Sequence, residues 1–195
     1  MTVAFFDFDG TITKRDSLID FITYYKGKRA LYLGLVRYGF FMVGYKLDLV
    51  SGKRAKELLL KHFFHGMELE SFNSLCERYA KEQLPKMIKH NALQRIDWHQ
   101  REGHKVVVVS ASLENWIEPW SSQMGLQVIA STLEVVENKV TGRLSGNNCN
   151  GLEKVRRIKE SLDTQTITYS YAYGNSSGDK EMLAFVDEGF LNRFS

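Results

Sequence analysis

The segment Lys105–Ser110 reads KVVVVS, four valines in succession. A run so short and so rich in β-branched side chains predicts a strand buried on both faces. Such a strand needs a layer on each side, and a parallel sheet flanked by helices supplies both. Two further runs suit the same sheet. VAFFDF at residues 3–8 reads as a buried strand ending in acids and followed by the loop Asp9-Gly10-Thr11. TITYSYAYG at residues 166–174 alternates small and aromatic side chains and reads as a third long strand.

The intervals between these strands carry the helices. From Asp16 to about Arg101 helical spacing dominates, as in LLLKHFFHGM and in Phe72, Leu75, Cys76 and Tyr79. That interval is too long for one crossover helix, so it predicts a helical cap inserted just after the first strand. Beyond the valine strand, SLENWIEPWSSQMG reads as a helix stopped by Gly125. A strand over Leu126–Ala130, a β-hairpin turning at Asn138–Lys139, a helix over Gly151–Leu162 and a closing helix in DKEMLAFVDEG follow. The expected architecture is α/β: a Rossmann-like parallel-sheet core from residues 1–14 and 92–195, with residues 15–91 as cap. The tail EGFLNRFS is short for a last strand, which predicts an irregular sheet edge.

Composition narrows the function classes. A formal charge of +3 suits an anionic substrate and is far from the basic bias of a nucleic-acid binder, so no nucleic-acid partner is expected. Cys76 and Cys149 form no CxxC pair, which argues against a zinc site or a disulfide framework. The opening MTVAFFDFDG has acids where a signal peptide needs a basic start, so a cytoplasmic location is expected. Leu31–Val50 is strongly apolar but broken by Arg37, Lys46 and Asp48, with Gly34, Gly39 and Gly44 weakening it as a free helix. It reads as a buried helix pair or as a surface meeting lipid.

Four polar clusters fall just past four of these elements: Asp7/Asp9/Thr11, Ser110, Lys154 and Asn175/Asp179. In an open α/β sheet the carboxyl ends of the strands share one edge, where ligands bind, so distant clusters can converge there. Of the two acids at the first strand end, one can bind metal and attack while the other handles a proton. Asn175 and Asp179 can complete an oxygen-only shell for Mg2+. Ser110 and the amides after it can hold phosphate oxygens, and Lys154 can neutralise charge on a transferring group.

DFDGTIT resembles the first motif of the haloacid dehalogenase-like superfamily, VVVVSAS the second, NCNGLEKVRRI the third and YGNSSGDKEML the fourth. Together they span residues 7 to 179. The order and the position of the cap are similar to the phosphoserine-phosphatase-like branch. The resemblance implies a phosphomonoesterase in which Asp7 attacks phosphorus and becomes an aspartyl-phosphate. Asp9 then protonates the leaving alkoxide and afterwards activates water. It implies Mg2+ held by Asp7, the Asp9 carbonyl and Asn175, with Asp179 assisting directly or through a water. It also implies phosphate contacts from Thr11, Ser110, Ala111 and Lys154, and cap closure that excludes water during transfer. The substrate is expected to be a small phosphorylated molecule.

The fourth motif departs from the family pattern, with Asn175 where an aspartate usually binds metal; an amide oxygen can ligate but brings no charge. Asp16 stands near the offset of a substrate-contacting glutamate in phosphoserine phosphatases, and also suits a helix N-cap. Lys53 and Arg54 in the basic cap are candidates for an anionic part of the substrate. His62 and His65 are expected to be partly buried and Cys149 to be a buried, inert thiol. Three rival readings follow: a lipid-phosphate phosphatase, motivated by Leu31–Val50; a phosphotransferase; and a non-catalytic phosphate-binding relative, motivated by Asn175.

Overall fold

A computed structural model describes residues 1–37 and 51–194. Its centre is a six-stranded sheet in the order β4-β3-β2-β1-β5-β6. The strands are β1 (Thr2–Phe6), β2 (Lys105–Leu113), β3 (Gln127–Val136), β4 (Lys139–Ser145), β5 (Tyr169–Gly174) and β6 (Glu188–Leu191). All neighbours pair in parallel except β4, which runs antiparallel to β3. β1 lies centrally, with Phe5 opposite Val107 on one side and Ala172 on the other. The alternation of the pleat sorts the valine strand into two cores. Val106 and Val108 join Ala4, Phe6 and Tyr173 on one face, while Val107 and Val109 join Val3, Phe5 and Ala172 on the other.

The second face is covered by α7 (Leu152–Ser161) and α8 (Lys180–Phe185) through Ile158 and Met182. The first face meets α5 (His90–Arg101), α6 (Glu114–Ser121) and the helices between β1 and β2. Those helices are α1 (Ser17–Arg37), interrupted at Gly27, then α2 (Gly52–Phe64), α3 (Leu69–Glu82) and the short α4 (Leu84–Met87). They do not stand apart from the sheet. Phe21 of α1 stacks on Trp116 of α6 at 4.9 Å and on Phe64 of α2 at 5.3 Å, with Tyr79 edge-on at 5.1 Å. One apolar cluster therefore runs from the sheet into the helical interval. Aromatic pairs of this kind add about 1 kcal/mol each beyond the area they bury.

The β3–β4 hairpin supports that interval from the other end. Gly66 N donates to Val140 O, Val140 N to Met67 O and Leu69 N to Asn138 O, each at 2.8 Å. Gly142 lies so close to α2 that a Cβ there would sit 2.4 Å from Lys61 Cα.

Several elements differ from the sequence reading. The expected strand at Leu126–Ala130 and the first arm of the hairpin are one continuous strand, β3. The turn falls at Glu137–Asn138, both left-handed (φ 47° and 60°), one residue earlier than expected and as a tight two-residue hairpin requires. The closing helix stops at Phe185, and residues 188–191 complete the sheet beside β5. Gly189 permits this: a Cβ there would lie 2.4 Å from the Leu183 carbonyl oxygen. His62 and His65 are exposed rather than partly buried. Residues 38–50, and with them most of the apolar Leu31–Val50 run, lie outside the described residues. Among the described residues no helix is long and apolar enough to cross a membrane.

Candidate active site

Because β1, β2 and β5 are parallel, their carboxyl ends deliver Asp7, Ser110 and Asn175 to one edge of the sheet. Asp7 directly follows β1, and a tight turn over Phe8–Ile12 comes next. Gly10 makes that turn possible: its φ is +81°, and a Cβ would strike the Asn175 amide at 2.1 Å. The turn aims Thr11 back, and its hydroxyl donates to Asp7 Oδ2 at 2.9 Å.

Lys154 enters from the first turn of α7 and is 1% exposed. Its ammonium donates to Asp7 Oδ1 at 2.6 Å, Val109 O at 2.7 Å and Asp179 Oδ1 at 2.8 Å. All three hydrogens are thereby committed, and Lys154 stands behind Asp7 as a buried charge. Burial disfavours its cationic form, yet the two carboxylates more than reverse this and raise its pKa. For Asp7 burial outweighs Lys154, and the carboxyl is held above its usual range. Asp179 is buried as well, but Lys154 and the Ser176 hydroxyl and amide pull it below.

Asp179 Oδ2 accepts from Asn175 N at 3.1 Å, Ser176 N at 2.9 Å and Ser176 Oγ at 2.8 Å, and its Oδ1 takes Lys154. So engaged, it shapes the loop after β5 and anchors the lysine. The Thr11 hydroxyl, besides donating to Asp7, lies 3.2 Å from the Asn175 side chain.

Asp9 turns the other way. Its Oδ1 accepts from Ser17 N at 2.7 Å, and its Oδ2 accepts from the Ser112 hydroxyl. Burial first, then the nearby Asp16 carboxylate, push its pKa up to about 7, against the pull of the Ser112 and Ser17 bonds. A carboxyl so placed can carry a proton near neutral pH.

A cavity of about 410 Å³ opens over these groups. Asp7, Asp9, Ser110, Ala111 and Ser112 line its floor, Asn148, Asn150, Ser176 and Ser177 one wall, and Asp16, Ser51, Gly52 and Lys56 the cap side. Its lining is mostly polar. Asp16 caps α1, its Oδ1 accepting from Ile19 N at 2.9 Å, and the residue also lines the cavity. Arg54 does not line it and is exposed. Lys56 reaches in instead, donating to the Ala111 carbonyl and, at 2.8 Å, to Asn148 Oδ1. Burial lowers its pKa, with Asp9 and Asp16 opposing. Cys149 is fully buried and its thiol pKa is raised by that burial, which leaves it inert at neutral pH.

The residues also suit a hard cation. Among the described residues no three His, Cys, Asp or Glu side chains cluster to hold a metal. An amide and a carbonyl complete the group instead. The outer atom of the Asn175 carboxamide lies 3.1 Å from Asp9 O, 3.2 Å from Thr11 Oγ1 and 3.3 Å from Asp7 Oδ2. Oxygens converging at such spacing need a cation or a donor between them, and neighbouring ligands of an octahedral Mg2+ lie about 3 Å apart. With its nitrogen inward, Asn175 donates to Asp9 O, Thr11 and Asp7; with its oxygen inward, it completes a cation shell.

The family model of the haloacid dehalogenase-like hydrolases matches residues 4–184. The chain is 31% identical over 185 residues to Protein CicA of Caulobacter vibrioides, covering 94% of this chain and 82% of that protein. It is 26% identical over 194 residues to a probable phosphatase of Mycobacterium tuberculosis, covering 95% and 66%. A solved phosphoserine phosphatase, captured as a phospho-aspartyl intermediate analogue, superposes with a TM-score of 0.68 at 16% identity, over 97% of this chain and 84% of that one. Its likeness is one of fold. The chain belongs to the haloacid dehalogenase-like hydrolases.

Proposed function

We propose that this hydrolase is a Mg2+-dependent phosphomonoesterase that acts on a small, polar phosphate ester through an aspartyl-phosphate at Asp7. The observation that carries the reading is the division of labour between two buried carboxyls. Asp7 is oriented by Lys154 and Thr11, while Asp9 is held apart from both with a pKa near 7. In the first step an Asp7 oxygen bonds to phosphorus as the ester P–O bond breaks, and the Asp9 proton passes to the leaving alkoxide. In the second, water gives its proton to Asp9 and bonds to phosphorus, releasing the Asp7 carboxylate and inorganic phosphate. Ser110 and the amides after it hold phosphoryl oxygens, and the buried Lys154 charge offsets the charge that spreads over them. Asp7, the Asp9 carbonyl and the Asn175 amide oxygen would hold Mg2+, which neutralises charge on the transferring group when bound.

Residues 1–14 and 92–195 form the catalytic core in this reading, and residues 15–91 the cap that sets specificity. The polar lining favours a small polar alcohol, with Asp16 and Lys56 available to opposite charges on it. A second reading, an ester of lipid type, rests on Tyr32 and Leu33, each 68% exposed on α1, and on Val36 beside them. Phosphate release from 4-nitrophenyl phosphate, with and without Mg2+, tests the mechanism. Metal-dependent turnover abolished by Asp7→Asn is expected; turnover that survives Asp7→Asn overturns the nucleophile assignment. Activity that requires detergent-dispersed lipid phosphate favours the second reading of the substrate.

A further inference from the structure

The loop between β4 and α7 carries a polar side chain whose backbone is fixed and whose head is free. Asn150 N donates to Asn148 O at 2.7 Å, and Asn150 O accepts from Glu153 N at 3.3 Å. The next residue, Gly151, donates its N–H to Gly178 O at 2.8 Å and accepts from Lys154 N at 3.0 Å. The loop is thereby tied both to the turn Ser177–Asp179 and to the helix start that delivers Lys154. Among the described residues the Asn150 carboxamide meets no hydrogen-bond partner, yet Asn150 lines the cavity over Asp7. Neighbouring groups on that wall are engaged already: Asn148 Oδ1 accepts from Lys56 at 2.8 Å, and Ser176 Oγ donates to Asp179 at 2.8 Å.

A missing side chain seats this carboxamide. A Cβ on Gly178 would stand 2.0 Å from Asn150 Oδ1, 2.8 Å from its Cγ and 2.9 Å from its Nδ2, and no other atom would come closer. The amide therefore lies over the glycine with its oxygen nearest, which leaves its N–H group to the cavity. A phosphate bound there needs donors for its oxygens. Lys154 has committed its three hydrogens to Asp7, Val109 and Asp179 and has none left to give. We propose that Asn150, seated on Gly178, is a phosphate-binding residue whose side-chain N–H donates to an oxygen of the phosphoryl group held over Asp7. The contact is with the part that every ester shares and not with its alcohol.

The inference rests on the phosphomonoesterase reading. It is tested with 4-nitrophenyl phosphate and phenyl phosphate, which share the phosphoryl group and differ in the alcohol, and with inorganic phosphate as inhibitor. Asn150→Ala is expected to lower kcat/KM about tenfold on both esters and to raise the inhibition constant of inorganic phosphate by a similar factor. Asn150→Asp keeps the shape, removes the donors and turns a negative charge toward the anion, so its loss should be about tenfold larger again. A residue that only filled the space over Gly178 would tolerate that change. Gly178→Ala removes the seat, and the Asn150 amide is the group its Cβ meets first. It should reproduce the Asn150→Ala loss, and the double variant should be no worse than either single, because both changes remove one contact. Unchanged kcat/KM in Asn150→Ala, an Asn150→Asp as active as wild type, a loss confined to one ester, or additive losses overturn the proposal and leave the phosphomonoesterase reading intact. A wild type that hydrolyses neither ester with Mg2+ overturns that reading and this inference with it.

Discussion

Asn175→Asp separates two ways of satisfying the oxygens at the sheet edge. In the metal-free protein the amide nitrogen can face Asp9 O, Thr11 Oγ1 and Asp7 Oδ2 at 3.1–3.3 Å and donate to them, a role no carboxylate fills. An aspartate there places a second anion about 3.3 Å from Asp7 Oδ2. At an effective dielectric of about 20 that repulsion is of order 5 kcal/mol, and the Lys154 cation bonded to Asp7 offsets about half of it. A net cost of about 2–3 kcal/mol corresponds to a melting temperature lower by roughly 5–10 °C for a chain of this size. Mg2+ at a hundred times its dissociation constant returns about 2.7 kcal/mol. The assay is thermal unfolding in EDTA and across a Mg2+ titration. Asn175→Asp should melt well below wild type in EDTA, and Mg2+ should raise its Tm by most of the deficit at concentrations where wild type shifts little. Equal Tm values in EDTA, with no larger Mg2+ response in the variant, would refute the idea that the amide stands in for a cation.

Two further outcomes follow from buried groups. Lys154→Met leaves the Asp7 and Asp179 carboxyls buried without their cation, so unfolding by denaturant should show a loss of about 3–5 kcal/mol; a loss under 1 kcal/mol would mean the lysine is not the keystone of that cluster. His99, fully buried, has its pKa lowered to about 3 by burial and by the Arg95 and His104 charges. The unfolded chain therefore binds this proton more readily, and stability is lost as pH falls below about 6.5, by about 2 kcal/mol between pH 7.5 and pH 5. His99→Gln should flatten that slope in unfolding curves at the two pH values, and an unchanged slope would assign it elsewhere.

What could be read from the sequence follows from how much each signal depends on distant parts of the chain. β1 and β2 are buried on both faces by any arrangement of a parallel sheet, so their side chains alone announce them. Asp7, Asp9 and Ser110 sit at the ends of those strands and inherit their legibility. β6 was obscure because its four residues alternate between half-buried and exposed, and its pairing depends on the absence of a side chain at Gly189. The direction of the Asp179 oxygens was not legible, since only the placement of Lys154 and Ser176 decides where they point.

Lys56 is the instructive omission. Lys53, Arg54 and Lys56 share the first turns of α2, and nothing in their order says which faces the core edge. The helical phase is set from outside, by the β3–β4 hairpin pressed against Lys61 at Gly142 and by Leu144 N donating to Glu57 Oε1 at 3.0 Å. That docking turns Lys56 toward Ala111 and Asn148 and leaves Arg54 exposed. In this hydrolase the polar groups under the cavity are written at strand ends, whereas the side that Lys56 lines is written in the packing of the helices onto the sheet.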